Sequence, residues 1–172
     1  MGTCCYHRLF MQAVNVGVVG VGNVGLGALT ILADNADQIA RKLGFPLRVA
    51  TVCSRSILTR QLPAALGDVR RTTAWQDVVA DPEIDIVAEL IGGTGDASQL
   101  LEAAIRNGKS VVTANKELMA LRGADLYQQA VNAGVNLAME ASVAGGIPIH
   151  AVLREGISGD RIEALYGILN GT

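Results

Sequence analysis

The sequence predicts an α/β domain built on a doubly wound parallel sheet, and three observations carry that prediction. From Val14 onward, short apolar runs alternate with longer stretches of helical periodicity, the order that sets parallel strands between covering helices. Half of the 172 residues are hydrophobic but only 3% are aromatic, so the core is built from Val, Ile, Leu and Ala, as suits strands buried on both faces. A glycine cluster, Gly20 to Gly25, falls where the first strand hands over to the first helix.

The elements follow in order. Val14 to Val19 reads as the first strand, and Asn23 to Leu43 as one long helix with an apolar stripe of Val24, Ala28, Ile31, Leu32, Ile39 and Leu43, stopped by Gly44. Leu47 to Cys53 is the second strand. The polar stretch from Ser54 to Thr73 has the weakest pattern, with a third strand near Arg70 to Thr72. Trp75 to Ala80 is a short helix, and Ile84 to Ile91 is a strand whose apolar run is broken by Asp85 and Glu89. A helix over Ala97 to Asn107, a turn at Gly108 and a strand over Ser110 to Ala114 come next. A helix from about Gly123 to Ala133 and a strand from Asn136 to Ala141 complete six strand candidates.

The tail carries its own pattern. Ile147-Pro148 opens a helix running to about Gly156, and Arg161 to Leu169 alternates Ile162, Ala164, Tyr166 and Ile168 as a half-buried strand does. The expected organisation is therefore a flexible extension over residues 1–13, a nucleotide-binding domain of Rossmann type over 14–150, and a connecting helix with the first strand of a further domain over 151–172.

Charge and cysteine content narrow the function. Fourteen Lys and Arg balance sixteen Asp and Glu, leaving a net charge of -2 and no basic footprint for nucleic acid or an anionic membrane. No apolar run approaches the ~20 residues of a membrane helix. Cys4, Cys5 and Cys53 are odd in number and lack the spacing of a disulfide framework or zinc site, which fits a reducing cytoplasmic setting. Tyr6 stands where an N-myristoylation start has Ser or Thr.

The glycine cluster is the clearest functional signal. Gly20-Val21-Gly22-Asn23-Val24-Gly25 is a G-x-G-x-x-G between strand and helix. Gly20 permits the turn, Gly22 lets backbone approach a pyrophosphate, and Gly25 lets helix and sheet pack closely, with the helix N-terminus facing the phosphates. The second strand then ends at the adenosine ribose. A carboxylate there marks an NAD site, but Cys53-Ser54-Arg55 has none, and no Asp or Glu occurs from Leu47 to Gly67. That absence favours NADP over NAD, with Arg55 pairing with the 2′-phosphate, Ser54 donating to it, and Arg60 a weaker candidate.

Four further motifs in order, Ile84-Asp-Ile-Val-Ala-Glu-Leu-Ile-Gly-Gly93, Val111-Val-Thr-Ala-Asn-Lys-Glu-Leu-Met-Ala120, Met139-Glu-Ala-Ser-Val-Ala-Gly-Gly-Ile-Pro-Ile149 and Gly167-Ile-Leu-Asn-Gly-Thr172, are distinctive. With them the chain closely resembles homoserine dehydrogenase from Met11 to its end. The resemblance implies NADP-linked hydride transfer between L-homoserine and L-aspartate 4-semialdehyde, on the route to threonine, methionine and isoleucine. It implies that Lys116 lies beside substrate and nicotinamide, where an ammonium can hydrogen-bond the substrate oxygen and assist proton transfer. It makes Thr113, Ala114 and Asn115 a backbone wall against the nicotinamide, with Gly92, Gly93 and Thr94 the equivalent wall from the preceding strand.

The resemblance also implies a monovalent cation such as Na+ in the loop from Glu140 to Ile147, held by the carbonyls of Val143, Gly145 and Ile147. A glycine turn that merely reverses the chain is the alternative for that loop. Asn170-Gly171-Thr172 matches the stretch that returns to the active-site cleft. In the family a substrate domain supplies an acidic residue, a second lysine and the homo-oligomer interface. That domain is expected to lie beyond Thr172, so these residues are expected to bind cofactor and to turn over slowly or not at all. A non-catalytic NAD(P)-binding module is the competing reading. A cysteine-acylating semialdehyde dehydrogenase fits less well, because Cys53 belongs at the ribose end of the second strand.

Overall fold

The computed structural model describes residues 12–167. Six strands, β1 (Val14–Val19), β2 (Leu47–Cys53), β3 (Arg70–Thr72), β4 (Ile86–Glu89), β5 (Ser110–Thr113) and β6 (Leu137–Ala138), form one sheet. Every neighbouring pair is parallel, and the order is β3-β2-β1-β4-β5-β6. The chain winds outward from β1 to β3, then crosses back to β4. The switch point between β1 and β4 opens a crevice at the carboxyl ends of these strands, where open α/β sheets take their ligands.

Alternation along the strands divides the core into two faces. Val16, Val18 and Val52 join Leu29 and Ile57 on one face. Val19, Cys53, Val87 and Val111 join residues of α3 (Trp75–Ala80), α4 (Asp96–Arg106) and α5 (Lys116–Ala133) on the other. Leu100, Leu101, Leu118 and Leu126 on the α4–α5 side have no exposed surface, and neither does Leu29 on the other. Each such leucine contributes about 1.5–3 kcal/mol by leaving water.

Several elements differ from expectation. The long helix over Asn23 to Leu43 is two helices, α1 (Asn23–Asp34) and α2 (Ala36–Leu43), divided at Asn35. There the Asn35 amide side chain donates to the Ile31 carbonyl at 3.0 Å, the acceptor its own backbone N–H also uses. That local competition favours a break. The expected stripe is also misplaced: α1 buries Gly25 and Leu29, while Val24 and Ile31 are about 60% exposed. Close contact at Gly25 sets the roll of the helix and carries Leu29, four residues on, to the sheet.

Helix α5 begins at Lys116, seven residues before the periodicity predicted, because the Asn115 side chain accepts the Leu118 N–H at 3.1 Å and caps it. β6 is only two residues long, and Glu140 opens a 3-10 turn over Glu140–Ser142 instead of ending a strand. The helix expected after Pro148 is present as α6 (Ile149–Ala151) continuing into a π-type turn over Val152–Gly156. The terminal strand expected from Arg161 is absent over residues 161–167, which are irregular and exposed. A strand needs a hydrogen-bonding neighbour, and among the described residues none lies alongside. The expected extension up to Met11, and Asn170, Gly171 and Thr172, lie outside the described residues.

Candidate nucleotide-binding site

A cleft of about 540 Å³ opens at the switch point. Gly20 and Gly22 line it from the β1–α1 turn, Cys53, Ser54 and Arg55 from the end of β2, and Ile91 and Gly92 from the end of β4. Val19, Val21, Thr73, Trp75, Leu90 and Asp96 complete the wall. Three sequence-predicted groups, the fingerprint, the ribose-end pair and the first residue of the β4 wall, thus meet in one concavity. Asn23 and Val24 open α1 beside it and are exposed.

The three fingerprint glycines meet different surroundings. A Cβ on Gly20, whose φ is +107°, would lie 2.4 Å from the Leu90 carbonyl group, so this turn sits directly on the start of the β4 loop. A Cβ on Gly25 would strike the Gly20 carbonyl oxygen at 1.9 Å. A Cβ on Gly22 would meet nothing within 4 Å. Protein packing therefore requires Gly20 and Gly25, whereas the bare backbone at Gly22 borders open space in the cleft.

At the end of β2 the Cys53 carbonyl accepts the Gly20 N–H at 2.8 Å, tying the end of that strand to the glycine turn. Arg55 is exposed and, among the described residues, is the only cationic residue of the cleft lining, and Asp96, at the start of α4 on the β4 side, is the only acidic one. Among the described residues, no carboxylate lines the β2 end of the cleft. Cys53 itself is buried, and burial, aided by the nearby Asp77 charge, pushes its thiol up to about 11.

The β4 and β5 ends are joined by a hydrogen-bond network that sequence reasoning missed. Glu89 has no exposed surface, and one carboxylate oxygen accepts the N–H groups of Ile91 and Gly92 at 2.9 and 3.0 Å. The other accepts the Thr113 hydroxyl at 2.5 Å. The Thr113 oxygen in turn accepts the Asn115 N–H at 3.0 Å, and the Asn115 amide donates to the Gly93 carbonyl at 2.6 Å. Gly92 and Gly93 both take positive φ in this turn. Gly93 and Thr94 are exposed, Ala114 is half-buried, and Lys116 is exposed at the first position of α5. The one available signal for Glu89 was an acid in an otherwise apolar strand, since a buried charge must be hydrogen-bonded. Lys109 is the other buried ion the sequence did not disclose. It donates to the carbonyls of Asp81 and Ile84 below the opposite end of the sheet, and desolvation lowers its pKa against the pull of Asp81 and Asp85.

The loop after β6 keeps its expected residues close in sequence and gives Glu140 a role. Its carboxylate accepts the N–H groups of His150 and Ala151 at 3.0 and 2.8 Å, capping α6. Desolvation works to raise its pKa, and the N–H groups of Ala151, His150 and Ile149 outweigh this and hold it below the usual glutamate value. Among the described residues, the Glu140 and Ala144 carbonyls accept loop N–H groups, while none is donated to the carbonyls of Val143, Gly145 or Ile147. Free carbonyl oxygens are the donor type a hard cation takes, so the residues present fit a monovalent ion.

No helix among the described residues is long and apolar enough to cross a membrane. Residues 20–140 match the family model described as homoserine dehydrogenase, NAD binding domain. The homoserine dehydrogenase of Pseudomonas aeruginosa is 46% identical over 163 residues, and that of Neisseria gonorrhoeae 43%, each match spanning 94% of this chain and 37% of the relative. Among solved structures, a homoserine dehydrogenase from Thiobacillus denitrificans superposes with a TM-score of 0.84 at 48% identity, over 93% of this chain and 37% of that one. A hyperthermophilic archaeal homoserine dehydrogenase in complex with NADPH gives 0.69 at 25% identity, over 86% and 50%. The chain spans a little over a third of the length of the curated relatives it matches. With the family model matched over residues 20–140 and relatives above 40% identity along nearly the whole chain, the chain belongs to the homoserine dehydrogenase family.

Proposed function

We propose that this chain is the cofactor-binding portion of an NADP-linked homoserine dehydrogenase, which interconverts L-homoserine and L-aspartate 4-semialdehyde. One observation carries the reading: a single cleft joins the open backbone at Gly22 to Arg55, with no carboxylate at the β2 end. The Gly20–Gly25 turn would hold the pyrophosphate, Arg55 and Ser54 the 2′-phosphate, and the Gly92–Thr94 and Thr113–Asn115 walls the nicotinamide. NAD is the weaker ligand for want of a ribose-binding acid. When bound, the nicotinamide supplies the hydride acceptor or donor.

Lys116, fixed at the start of a capped helix, hydrogen-bonds the substrate oxygen and assists proton transfer at that atom. Residues 14–150 form the nucleotide-binding domain, and residues 151–172 lead into the substrate domain. Val143, Gly145 and Ile147 hold a monovalent cation through their carbonyls while Glu140 braces the loop. The full protein is a cytoplasmic homo-oligomer whose substrate domain completes the catalytic site.

The test is a titration with NADPH and, in parallel, NADH. Trp75 is the only tryptophan and lines the cleft, so its emission reports occupancy. NADPH is expected to bind more tightly, and Arg55→Ala to weaken NADPH by about tenfold or more while leaving NADH nearly unchanged. Equal loss for both cofactors would refute the phosphate assignment, and binding of neither by the unaltered chain would refute the cofactor reading.

A further inference from the structure

Glu89 lies outside the cleft lining, yet its contacts reach both turns that flank the nicotinamide position. Its carboxylate accepts three hydrogen bonds with no exposed surface, and no salt bridge neutralises it among the described residues. Such a group is costly unless every partner is in place, and a same-shaped apolar residue would spare that cost. Its position in the sheet explains what it secures. Glu89 pairs with Val19 of β1 on one side and Thr113 of β5 on the other, at the carboxyl end where the strands give way to site-forming turns.

The contacts close a ring. Glu89 holds the Gly92 N–H and the Thr113 hydroxyl, Thr113 holds the Asn115 N–H, and Asn115 returns to the Gly93 carbonyl. Asn115 also caps α5, whose first residue is Lys116. The ring therefore sets the positive-φ turn at Gly92 and Gly93, the spacing between the two turns, and the origin of the lysine-bearing helix.

We propose that Glu89 is a positioning residue for the nicotinamide half of the site, acting through Thr113 and Asn115 and touching neither cofactor nor substrate. The proposal rests on the dehydrogenase reading above. A carboxylate suits the task because it offers an acceptor on both oxygens at once. A glutamine keeps one acceptor for the two backbone N–H groups but turns an N–H donor toward a hydroxyl that needs an acceptor. The adenosine half is anchored by the β1–α1 turn and the end of β2, outside the ring.

The experiment uses the full-length protein and two probes, NADPH and the adenosine-end fragment 2′,5′-ADP. Glu89→Gln is expected to weaken NADPH by about tenfold and lower kcat by at least as much, leaving 2′,5′-ADP within about twofold of the unaltered protein. Thr113→Val cuts the same ring at a second point, so it reproduces the selective loss even where Glu89→Gln folds poorly. Thr113→Ser, which keeps the hydroxyl, recovers most of that loss. Equal weakening of both probes, or none of either, would overturn the positioning role while leaving the cofactor reading intact. Failure of the unaltered protein to bind NADPH and 2′,5′-ADP would overturn both.

Discussion

Gly25 and Gly20 are packed so closely that a methyl group on Gly25 would lie 1.9 Å from the Gly20 carbonyl oxygen, whereas a methyl on Gly22 between them would touch nothing. The two kinds of glycine therefore separate by experiment. Gly25→Ala forces α1 away from the β1 turn and is expected to cost about 2 kcal/mol in denaturant unfolding. Gly22, with φ of -77°, tolerates a side chain sterically. Gly22→Ala should stay within about 0.5 kcal/mol of the original stability, yet weaken NADPH in the same titration. A Gly22→Ala chain that binds NADPH normally would mean that the cofactor does not approach this backbone.

Lys116 stands exposed at the start of α5 and forms no salt bridge among the described residues. In the full-length enzyme, Lys116→Ala is expected to lower kcat by about a hundredfold or more, the range for loss of a proton-transfer group. NADPH affinity should change little, because the role proposed for the lysine is toward the substrate oxygen. Steady-state rates together with the cofactor titration check both parts, and an unchanged kcat would remove Lys116 from the mechanism.

The Cys53 thiol, raised by burial and then by Asp77 from about 9 to about 11, should resist alkylation in the native protein. Peptide mapping after iodoacetamide at pH 8 should find Cys53 modified far more slowly in the folded than in the denatured chain. The raised pKa also has a stability consequence. Below pH 9 both states keep the proton and the contribution is intact; between 9 and 11 the unfolded thiol ionises first, so stability falls as pH rises. Urea midpoints at pH 8 and pH 10 should show that fall, and Cys53→Ala should reduce it.

Much of this organisation was legible in the residues. β2 spans Leu47–Cys53 and α3 spans Trp75–Ala80 as the hydrophobic pattern predicts. The fingerprint, Ser54, Arg55 and Gly92 converge because strand ends in a parallel sheet share one edge. Periodicity failed where one side chain overruled it. Asn35 ends α1 through a local amide contact, and Asn115 starts α5 ahead of its apolar pattern. Both act over four residues or fewer, below the length at which a hydrophobic period can be seen.

The sequence by itself determined the fold class, the fingerprint turn and the absence of an acid after β2, because these depend on local composition and on spacing along the chain. Only the tertiary structure decided which face of α1 is buried and what Glu89 does. The roll of α1 follows from the Gly25–Gly20 contact between helix and turn. Glu89 finds Thr113 twenty-four residues away, across a strand pairing that no local pattern encodes. A buried carboxylate in an apolar strand announces that partners must exist; which partners they are depends on the register of the sheet.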